Sequence, residues 1–421
     1  MKKNKTLIFV TSMFPFGTGE TFIENEFPFL VNAFDQIIII TNKTDEFNCR
    51  IQPNEKIIIV HFPYEISTVT KIISVKNIFS KKFIEEIRFI KKEFGLKISL
   101  HILKTCLTTI QKAGNLSHFI TKTIEKNVNN ENELYLYSYW MNDMATGIAE
   151  FSSKNSKAKS FARAHGWDVY MDRHTDNYLP LRNYTLKNLK ACFPISEHGS
   201  NYLNCTSKSR YSNKIFLSRL GTFNDEPWLS EIESNTILNT PFHIVSCSNL
   251  IPLKRIHLLI KTLHLLDFRV HWTHFGTGQL REELEDLAKE LLSPKSNISH
   301  QFMGQVSNSE IKTFYRSNNI DLFVNVSETE GVPVSLMEAM SYGIPCLATN
   351  VGGNSEIVNS TNGILLPTHF EIVDIKNNLL NFSIITQNEK NNYRKNARNT
   401  WENFYNAKKN YNSFLEFIYQ I

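Results

Sequence analysis

The segment Ser327–Met340, SETEGVPVSLMEAM, carries two glutamates, Glu330 and Glu338, that stand eight residues apart. The apolar run at 321–326 predicts a buried strand directly before it. Pro333 predicts the first position of a helix, because it has no N–H to leave unpaired and its φ is already helical. Glu330 therefore lies in the loop, and Glu338 lies inside the helix, about 7.5 Å beyond its start at ~1.5 Å per residue.

This arrangement could hold a ligand that has an anion at one end and hydroxyl groups along its length. The free N–H groups of a helix that follows a parallel strand bind anions. A carboxylate inside an otherwise apolar helix is costly unless it is paired or hydrated, and the two O–H donors of a ribose diol would satisfy Glu338. Glu330 would then face the sugar end of the same ligand. The alternative is a solvated helix with two incidental glutamates.

Further residues around this segment make the pattern more specific. Glu-Gly precedes the predicted helix, Glu-Ala-Met lies within it, Gly-x-Pro follows it, and Gly-Gly-x-x-Glu lies beyond the next strand. With them, the run ETEGVPVSLMEAMSYGIPCLATNVGGNSEIV resembles the donor site of family 4 glycosyltransferases. The resemblance implies that four residues at the helix start contact the donor: Gly331, Val332, Pro333 and Val334.

The resemblance also implies a fold. Family 4 enzymes have the GT-B fold, an α/β architecture of two Rossmann-like parallel-sheet domains that face each other across a cleft. The alternation of predicted strands and helices agrees with two such domains. We predict an acceptor-side domain at 1–225, a nucleotide-sugar-binding domain at 226–400, and a C-terminal helix at 401–421 that crosses back to the first domain. The segment 222–240 lacks periodicity and is predicted to connect the domains.

A second strand–loop–helix junction, at 246–260, contains Lys254 and Arg255. An ammonium group at the second phosphate-binding edge would neutralise a diphosphate leaving group by a charge-assisted hydrogen bond. The family usually has Gly-Arg-Leu followed by Lys-Gly here, whereas this chain has Asn249 in place of the arginine and Arg255 in place of the glycine. The resemblance therefore gives the lysine role to Lys254. Arg255 either replaces the missing arginine or faces solvent.

The predicted strand at 159–164 is followed by His165, Gly166, Trp167 and Asp168. This segment resembles the His-Gly-x-Asp motif of the family, whose histidine borders the donor sugar. The resemblance implies that His165 hydrogen-bonds the sugar and that Asp168 orients the loop. The alternative is a histidine with a purely structural role.

Two glycine loops follow predicted strands. The first contains Gly17 and Gly19, but a dinucleotide-binding fingerprint would need a third glycine where Phe22 stands, so that cofactor is excluded. The resemblance implies that Gly19 approaches the donor diphosphate; the alternative is an ordinary βα turn. It also implies that a second glycine loop, with Gly276 and Gly278, and the segment at 304–306, with Val306, wall the nucleobase pocket.

Composition bounds the remaining possibilities. The 421-residue chain has 46 Lys and Arg against 41 Asp and Glu, a net charge of +5 that is too weak to indicate nucleic-acid binding. Its six cysteines are scattered, which is typical of a reduced compartment. The apolar runs are all shorter than the ~20 residues of a spanning helix. We expect a cytoplasmic protein.

The segment 71–112 has ten Lys and Arg against three Glu, interleaved with apolar residues. This pattern predicts a peripheral contact with an anionic membrane, at the inner face of the plasma membrane, that would help to receive a lipid-linked acceptor. The alternative is a solvated pair of amphipathic helices whose apolar stripe belongs to the domain core.

Together these features predict a retaining glycosyltransferase of the hexosyltransferase type. It would move a sugar from a nucleoside diphosphate sugar, UDP- or GDP-linked, to a hydroxyl group of a growing surface polysaccharide or its lipid-linked precursor. Retention is implied by the resemblance alone. No cofactor is expected and no metal, since no Asp-x-Asp pair stands in a plausible place. The alternatives are a sugar phosphorylase, a nucleotide-sugar epimerase, and a non-catalytic subunit that binds nucleotide sugars.

Overall fold

The computed structural model describes residues 3–17, 19–43, 48–63, 75–226 and 240–421. The chain forms two compact units. Unit 1 comprises Met1–Arg219 and Tyr411–Ile421, and unit 2 comprises Leu220–Asn410. Of the predicted connection at 222–240, residues 227–239 lie outside the described part of the chain.

Unit 2 extends further in both directions than the predicted range 226–400. Thr222 pairs with Asn406 in a parallel bridge. The indole N–H of Trp401 donates to the Thr222 hydroxyl at 2.8 Å. These contacts are long-range pairings between loop residues, which hydrophobic periodicity does not reveal.

Unit 1 is built on a six-stranded sheet in the order β3-β2-β1-β4-β5-β6, with parallel pairing throughout. The central strands are buried on both faces, which explains their continuous apolar sequences. The strands are β1 (Lys5–Thr11), β2 (Gln36–Thr41), β3 (Ile57–His61), β4 (Glu133–Ser138), β5 (Lys159–Ala164) and β6 (Ala191–Pro194).

Unit 2 repeats this plan with the order β12-β11-β10-β7-β8-β9, again with parallel pairing. Its strands are β7 (Phe242–Cys247), β8 (Val270–Phe275), β9 (Ile298–Gly304), β10 (Leu322–Asn325), β11 (Cys346–Thr349) and β12 (Gly363–Leu366). The order reverses direction between β7 and β10. In open α/β sheets, ligands bind beyond the carboxyl ends of the strands at such a switch point.

Helices connect the strands in both units. Those of unit 1 are α1 (Ile23–Ala33), α2 (Lys81–Phe89), α3 (Leu100–Asn127), α4 (Asp143–Lys154), α5 (Arg182–Asn188) and α6 (Glu197–Thr206). Those that begin in unit 2 are α7 (Ile256–His264), α8 (Arg281–Leu292), α9 (Asn308–Ser317), α10 (Val334–Ser341), α11 (Asn354–Ile357), α12 (Ile372–Ser383), α13 (Gln387–Phe404) and α14 (Ala407–Gln420).

The last helix belongs to both units by sequence position, since its residues from Tyr411 onward are part of unit 1. Phe414, Leu415 and Ile418 are buried in the aromatic core of that unit. Phe161 of β5 lies 5.9 Å from Phe414, measured between ring centroids. The C-terminal helix thus crosses back to the first domain, as predicted for the fold. Among the described residues, no helix is both long and apolar enough to cross a membrane.

Candidate active site

The junction between β10 and α10 ends in an open helix start. Pro333 is the N-cap, with φ −73° and an extended ψ of 118°, so the helix begins one residue later than predicted. The N-cap contributes no side-chain hydrogen bond, and the first turn contains no acidic residue. The N–H of Leu336 donates to the Pro333 carbonyl at 3.2 Å. The N–H groups of Val334 and Ser335 have no acceptor within the helix.

A second open helix start lies beside the first. Helix α7 begins after Arg255, which has a left-handed conformation with φ 50°, and it too lacks both a side-chain cap and a first-turn acid. Helices α9, α12 and α13 of the same unit are each closed by a capping box, with Ser307 and Glu310 forming that of α9. The two open helices follow β7 and β10, the neighbouring strands at the switch point. Their partial positive charges therefore converge on one edge of the sheet.

Lys254 and Glu330 meet at this edge. The Lys254 ammonium donates to Oε1 of Glu330 at 2.5 Å, and both side chains are largely buried. The side-chain amide of Asn325 donates to the same oxygen at 3.2 Å, and its own carbonyl oxygen accepts the N–H of Ser327. The sequence predicts Lys254 and Glu330 at one ligand, but not the contact of Asn325. The available signal was a polar residue at the carboxyl end of an apolar strand.

Arg255 links the junction between β7 and α7 to the junction between β10 and α10 by hydrogen bonds. Its guanidinium donates to the carbonyl of Val326 at 2.8 Å and to that of Ser327 at 3.0 Å. The guanidinium also lies 4.8 Å from the centre of the Phe370 ring. Arg255 thus positions the end of β10, a role that the sequence did not predict. Its contact with a diphosphate stays a prediction, as does that of Asn249, whose side chain is exposed in the same loop.

Glu338 lies in the second turn of α10 and is buried. Its Oε1 accepts a hydrogen bond of 2.6 Å from the side-chain amide of Asn308, the first residue of α9. Burial raises the pKa of Glu338, and the Asn308 hydrogen bond and the charge of Lys312 oppose this only in part. A carboxylate keeps several acceptor positions when one is occupied. Glu338 can therefore accept further hydrogen bonds from a ligand.

Cys247 connects Glu338 with the ion pair. This residue ends β7, and burial raises the pKa of its thiol to about 12. The negative charge of Glu338 adds to that increase, whereas the positive charge of Lys254 opposes it. Both groups are thus close enough to the thiol to act on it. Two of the charged residues predicted for the donor, Lys254 and Glu338, thus both act electrostatically on the end of β7.

The glycines of the second loop allow neighbouring loops to approach closely. A Cβ at Gly276 would lie 2.0 Å from the carbonyl oxygen of Ser248, and φ there is +131°. A Cβ at Gly278 would lie 2.4 Å from the carbonyl oxygen of Leu250. Both positions thus need glycine for packing against the loop after β7. Val306 is half-buried two residues beyond β9, and its contact with a nucleobase stays a prediction.

The Gly-Gly pair after β11 packs against the Glu330 loop in the same way. A Cβ at Gly352, where φ is +53°, would lie 2.0 Å from the carbonyl oxygen of Glu330. The N–H of Gly353 donates to the carbonyl of Gly331 at 2.6 Å. Val332 is buried beside this contact. These glycines of the Gly-Gly-x-x-Glu pattern thus hold the loop that carries Glu330.

In unit 1, His165 directly follows β5 and is surrounded by aromatic rings. It is 8% exposed, and among the described residues neither ring nitrogen makes a hydrogen bond, although Nδ1 lies 3.7 Å from the Asp168 carboxylate. The rings of Phe22, Tyr139 and Trp140 lie 5.5, 5.0 and 4.6 Å from the imidazole, measured between centroids. A buried polar group without hydrogen bonds is costly, so a ligand that bonded to it would be favoured.

Asp168 fixes the His165 loop. Its carboxylate accepts the N–H of His165 and the N–H of Met141, both at 2.7 Å. Burial alone would raise the pKa of Asp168, but the adjacent imidazole and these two N–H groups hold it below its usual value. Arg182 donates to the carbonyls of Asp168 and Val169. The predicted orienting role of Asp168 agrees with these contacts.

The N–H groups of the loop after β1 bind the carboxylate of Glu20. Glu20 accepts the N–H groups of Ser12, Met13 and Phe14 at 3.0, 2.7 and 2.7 Å, and it also accepts the indole N–H of Trp140. Gly19 precedes it, and its carbonyl accepts a hydrogen bond from the guanidinium of a neighbouring arginine. Sequence analysis singled out the glycine and missed the acid. The contact of Gly19 with a diphosphate stays a prediction.

Among the described residues, no group of three or more His, Cys, Asp or Glu side chains could hold a metal ion.

Part of unit 2 is similar in sequence to known glycosyltransferases. Residues 230–400 match the profile of the family described as glycosyl transferases group 1. The O-antigen biosynthesis glycosyltransferase WbnH of Escherichia coli is 40% identical over 85 residues, which is 20% of this chain and 22% of WbnH. The putative colanic acid biosynthesis glycosyltransferase WcaL of Escherichia coli is 26% identical over 220 residues, covering 48% of this chain and 50% of WcaL. The chain thus spans less than two thirds of these relatives.

Solved structures are similar over nearly the whole chain. Anabaena HepE in complex with UDP and glucose has a TM-score of 0.65 at 14% identity and covers 99% of both chains. The lipopolysaccharide outer core galactosyltransferase WaaB, in its apo form, has a TM-score of 0.64 at 15% identity, covering 98% of this chain and 99% of WaaB. At such low identity these likenesses concern the fold. The chain has the GT-B fold, with two Rossmann-like domains.

Proposed function

We propose that this protein transfers a sugar from a nucleoside diphosphate sugar to a hydroxyl acceptor during the synthesis of a surface polysaccharide. The observation that carries this proposal is the edge of unit 2, where two uncapped helices converge on the Lys254–Glu330 pair. The family profile over 230–400 supports it. The relatives named for O-antigen and colanic acid biosynthesis favour a surface glycan as the product.

The edge suits the departure of a diphosphate. As the bond between sugar and phosphate breaks, negative charge grows on the phosphate oxygens. The N–H groups of Val334 and Ser335 and the ammonium of Lys254 would stabilise that charge by fixed electrostatics. Because these groups are already held in place by β10, α10 and the Asn325 contact, little reorganisation accompanies the reaction.

The two glutamates would hold the other parts of the donor. Glu338 is buried and accepts one hydrogen bond from Asn308, so a ribose diol would add the hydrogen bonds that its carboxylate lacks. Glu330 would accept hydrogen bonds from the sugar hydroxyl groups and so fix the orientation of the reacting carbon. In unit 1, His165 is the proposed sugar contact, since among the described residues neither of its ring nitrogens makes a hydrogen bond.

Finer points of the reaction rest on the resemblance to family 4. We propose a hexosyl donor linked to UDP or GDP, retention by front-face displacement, and no requirement for metal or cofactor. A UDP donor is favoured because the similar HepE structures are described with UDP and with UDP-glucose.

The helical segment that follows residue 74 supports the proposed contact with the cytoplasmic face of a membrane. Phe79 and Leu100 are 88% and 85% exposed on it. Glu86 is buried and Glu93 is paired with two basic side chains from outside the segment. Lys82 and Lys112 pair with acids elsewhere in unit 1, so the positive charge of the surface comes from the remaining exposed lysines and Arg88. Co-sedimentation with anionic vesicles tests this, and Leu100→Ala should weaken it. Residues 71–74 of the predicted segment lie outside the described part of the chain.

Thermal shift with UDP-, GDP-, ADP- and CMP-sugars tests the proposed function. A donor at a hundred times its Kd stabilises the folded state by ~2.7 kcal/mol, which is readily detected. We expect one nucleoside class to raise Tm in the wild type and to do so much less in Glu338→Gln. No stabilisation by any donor would contradict the proposal.

The same donor separates the alternatives by product analysis. With phosphate present, a phosphorylase would form sugar 1-phosphate, taking the sugar either from the donor or from the glycan. An epimerase would change the donor without an acceptor. A non-catalytic subunit would bind the donor and leave it intact in the presence of every acceptor, whereas the proposed enzyme releases nucleoside diphosphate and a longer glycan.

A further inference from the structure

Trp167 is an exposed indole beside the buried His165 of unit 1. Its side chain is 63% exposed, and it lies two residues beyond His165 at the carboxyl end of β5. A single exposed aromatic residue is common on protein surfaces and needs no explanation by itself. The contacts around Trp167 are what indicate a binding role for it.

The indole is held rigidly although it is exposed. Its ring packs against His174 with 4.3 Å between centroids, and the His174 imidazole also donates from Nε2 to the Trp167 carbonyl at 2.5 Å. The following turn is closed by the N–H groups of Val169 and Tyr170, which both donate to the Gly166 carbonyl at 3.1 Å. A flat apolar surface that is already fixed loses little conformational entropy when a ligand binds to it.

Two polar side chains lie close to Trp167 in the sequence. His165 is more than nine-tenths buried, and among the described residues neither ring nitrogen makes a hydrogen bond, although Nδ1 lies 3.7 Å from the Asp168 carboxylate. Asp172 is exposed five residues beyond Trp167, in the short helical turn that begins at Met171. A pyranose ring matches this combination, because one of its faces is made of C–H groups while its hydroxyl groups point outward to hydrogen-bonding partners.

We propose that Trp167 stacks on a pyranose ring of the acceptor glycan. The indole takes the apolar face of the sugar, and the sugar's hydroxyl groups would bond to polar side chains of the same loop, such as the exposed Asp172. This inference rests on the proposed function and deepens it by naming a residue that binds the acceptor. Most pockets for small polar ligands combine an apolar wall with a few such polar groups.

The Trp167 loop is also joined to the basic helices. The Asp176 carboxylate, two residues beyond His174, accepts a hydrogen bond from the Ser99 hydroxyl. Ser99 caps α3 and directly precedes the exposed Leu100. A sugar on Trp167 and a membrane surface near Leu100 would thus be held by one rigid part of unit 1, which suits a glycan attached to a lipid.

Fluorine NMR tests the sugar contact directly. The chain has five tryptophans, so the full-length protein labelled with 5-fluorotryptophan gives one resonance for each, and Trp167→Phe identifies the one that matters. The probes are methyl α-glucoside, methyl β-galactoside and N-acetylglucosamine at tens of millimolar. We expect at least one of them to shift the Trp167 resonance. If none does, or if only other tryptophans respond, the proposal is overturned.

Kinetics with a soluble saccharide acceptor give the second test. Trp167→Ala should raise the acceptor KM on the order of tenfold, since an aromatic stacking contact is worth about that factor in affinity. The donor KM and the rate of donor hydrolysis by water should not change, and Trp167→Phe should recover most of the loss. An unchanged acceptor KM in folded Trp167→Ala would overturn the proposal.

Leu100→Ala is the matched control, because Leu100 is also apolar and exposed but has no place in the sugar contact. It should weaken binding to anionic vesicles and leave the soluble-acceptor KM unchanged. If Trp167→Ala behaves in this same way, the indole binds lipid and the sugar contact is refuted. If no donor binds to the wild type, the proposed function fails, while the NMR titration still decides the role of Trp167.

Discussion

The loop after β1 in unit 1 and the loops after β7 and β10 in unit 2 stand at the same kind of position. In each, the carboxyl end of a parallel strand leads toward a helix. The loop in unit 1 directs three backbone N–H groups at the Glu20 carboxylate. The helix starts in unit 2 have no side-chain cap and no acidic residue in their first turns.

This difference separates a filled anion site from an open one. Glu20 is an anion supplied by the chain, and two further acids, Glu24 and Glu26, lie in the first turn of α1. In unit 2 the nearest acid, Glu330, instead pairs with the Lys254 ammonium. The chain thus supplies its own anion at the edge of unit 1, whereas we propose that the corresponding edge of unit 2 binds a ligand. We therefore expect the donor diphosphate at unit 2.

The largest effect is expected from Lys254→Ala. Removing the ammonium takes away a fixed charge from the leaving diphosphate and leaves Glu330 without its ionic partner. Loss of one such electrostatic contact typically lowers turnover by a factor on the order of a hundred. Initial rates at saturating donor measure this. Lys261→Ala, an exposed lysine in the same helix α7, is the control and should retain the wild-type rate. Near-normal turnover in Lys254→Ala would contradict the proposal that the donor diphosphate binds at unit 2.

Glu338→Gln should weaken donor binding by about tenfold, a smaller effect than that of Lys254→Ala. The amide keeps the shape of the side chain but replaces one acceptor oxygen with a donor, so one hydrogen bond from a ribose diol is lost. Isothermal titration with the donor measures the change in Kd. Glu290→Gln, at an exposed position of α8, should have no effect.

The same residue predicts a pH dependence. Burial raises the pKa of Glu338 above its ordinary value of 4.5. Its contribution to stability is therefore full below pH 4.5 and is lost as pH rises through the raised pKa. Donor hydroxyl groups favour the carboxylate, so donor affinity should rise with pH over this interval and binding should release protons. Titrations in buffers of different ionisation enthalpy measure that release, which should be absent in Glu338→Gln.

The smallest effect on the donor is expected from Glu20→Gln. Its amide group cannot accept from all three loop N–H groups, and it turns an N–H donor toward other donors. We expect a loss of ~1–3 kcal/mol in the free energy of unfolding, because buried donors are left unsatisfied. Urea denaturation measures that loss, and the donor Kd should stay within about twofold of the wild type. A tenfold change in the Kd would show that the comparison between the units is wrong.

Local signals allowed the sequence to predict the elements around the site. The strand predicted at 321–326 is observed at Leu322–Asn325, and the helix predicted to begin at Pro333 is observed at Val334–Ser341, one residue later. Apolar runs, caps and helix-ending residues act over a few positions, so the sequence records them directly.

The long-range contacts that position the site residues could not be predicted from such local signals. Arg255 was expected either to bind phosphate or to face solvent, but it bonds to carbonyls at Val326 and Ser327, about 70 residues away in sequence. The role of Glu20 depends on the conformation of the loop after β1, whose backbone N–H groups donate to its carboxylate. Long-range pairings and loop conformations depend on the packed fold, and one sequence does not display them.

A crystal structure with the nucleoside diphosphate sugar selected by the thermal-shift panel tests the central claim most directly. The account predicts phosphate oxygens within hydrogen-bonding distance of the N–H groups of Val334 and Ser335 and of the Lys254 ammonium, with Glu20 still bonded to its own loop. A diphosphate bound instead at the N–H groups of residues 12–14, with Glu20 displaced and the unit 2 edge empty, would contradict it.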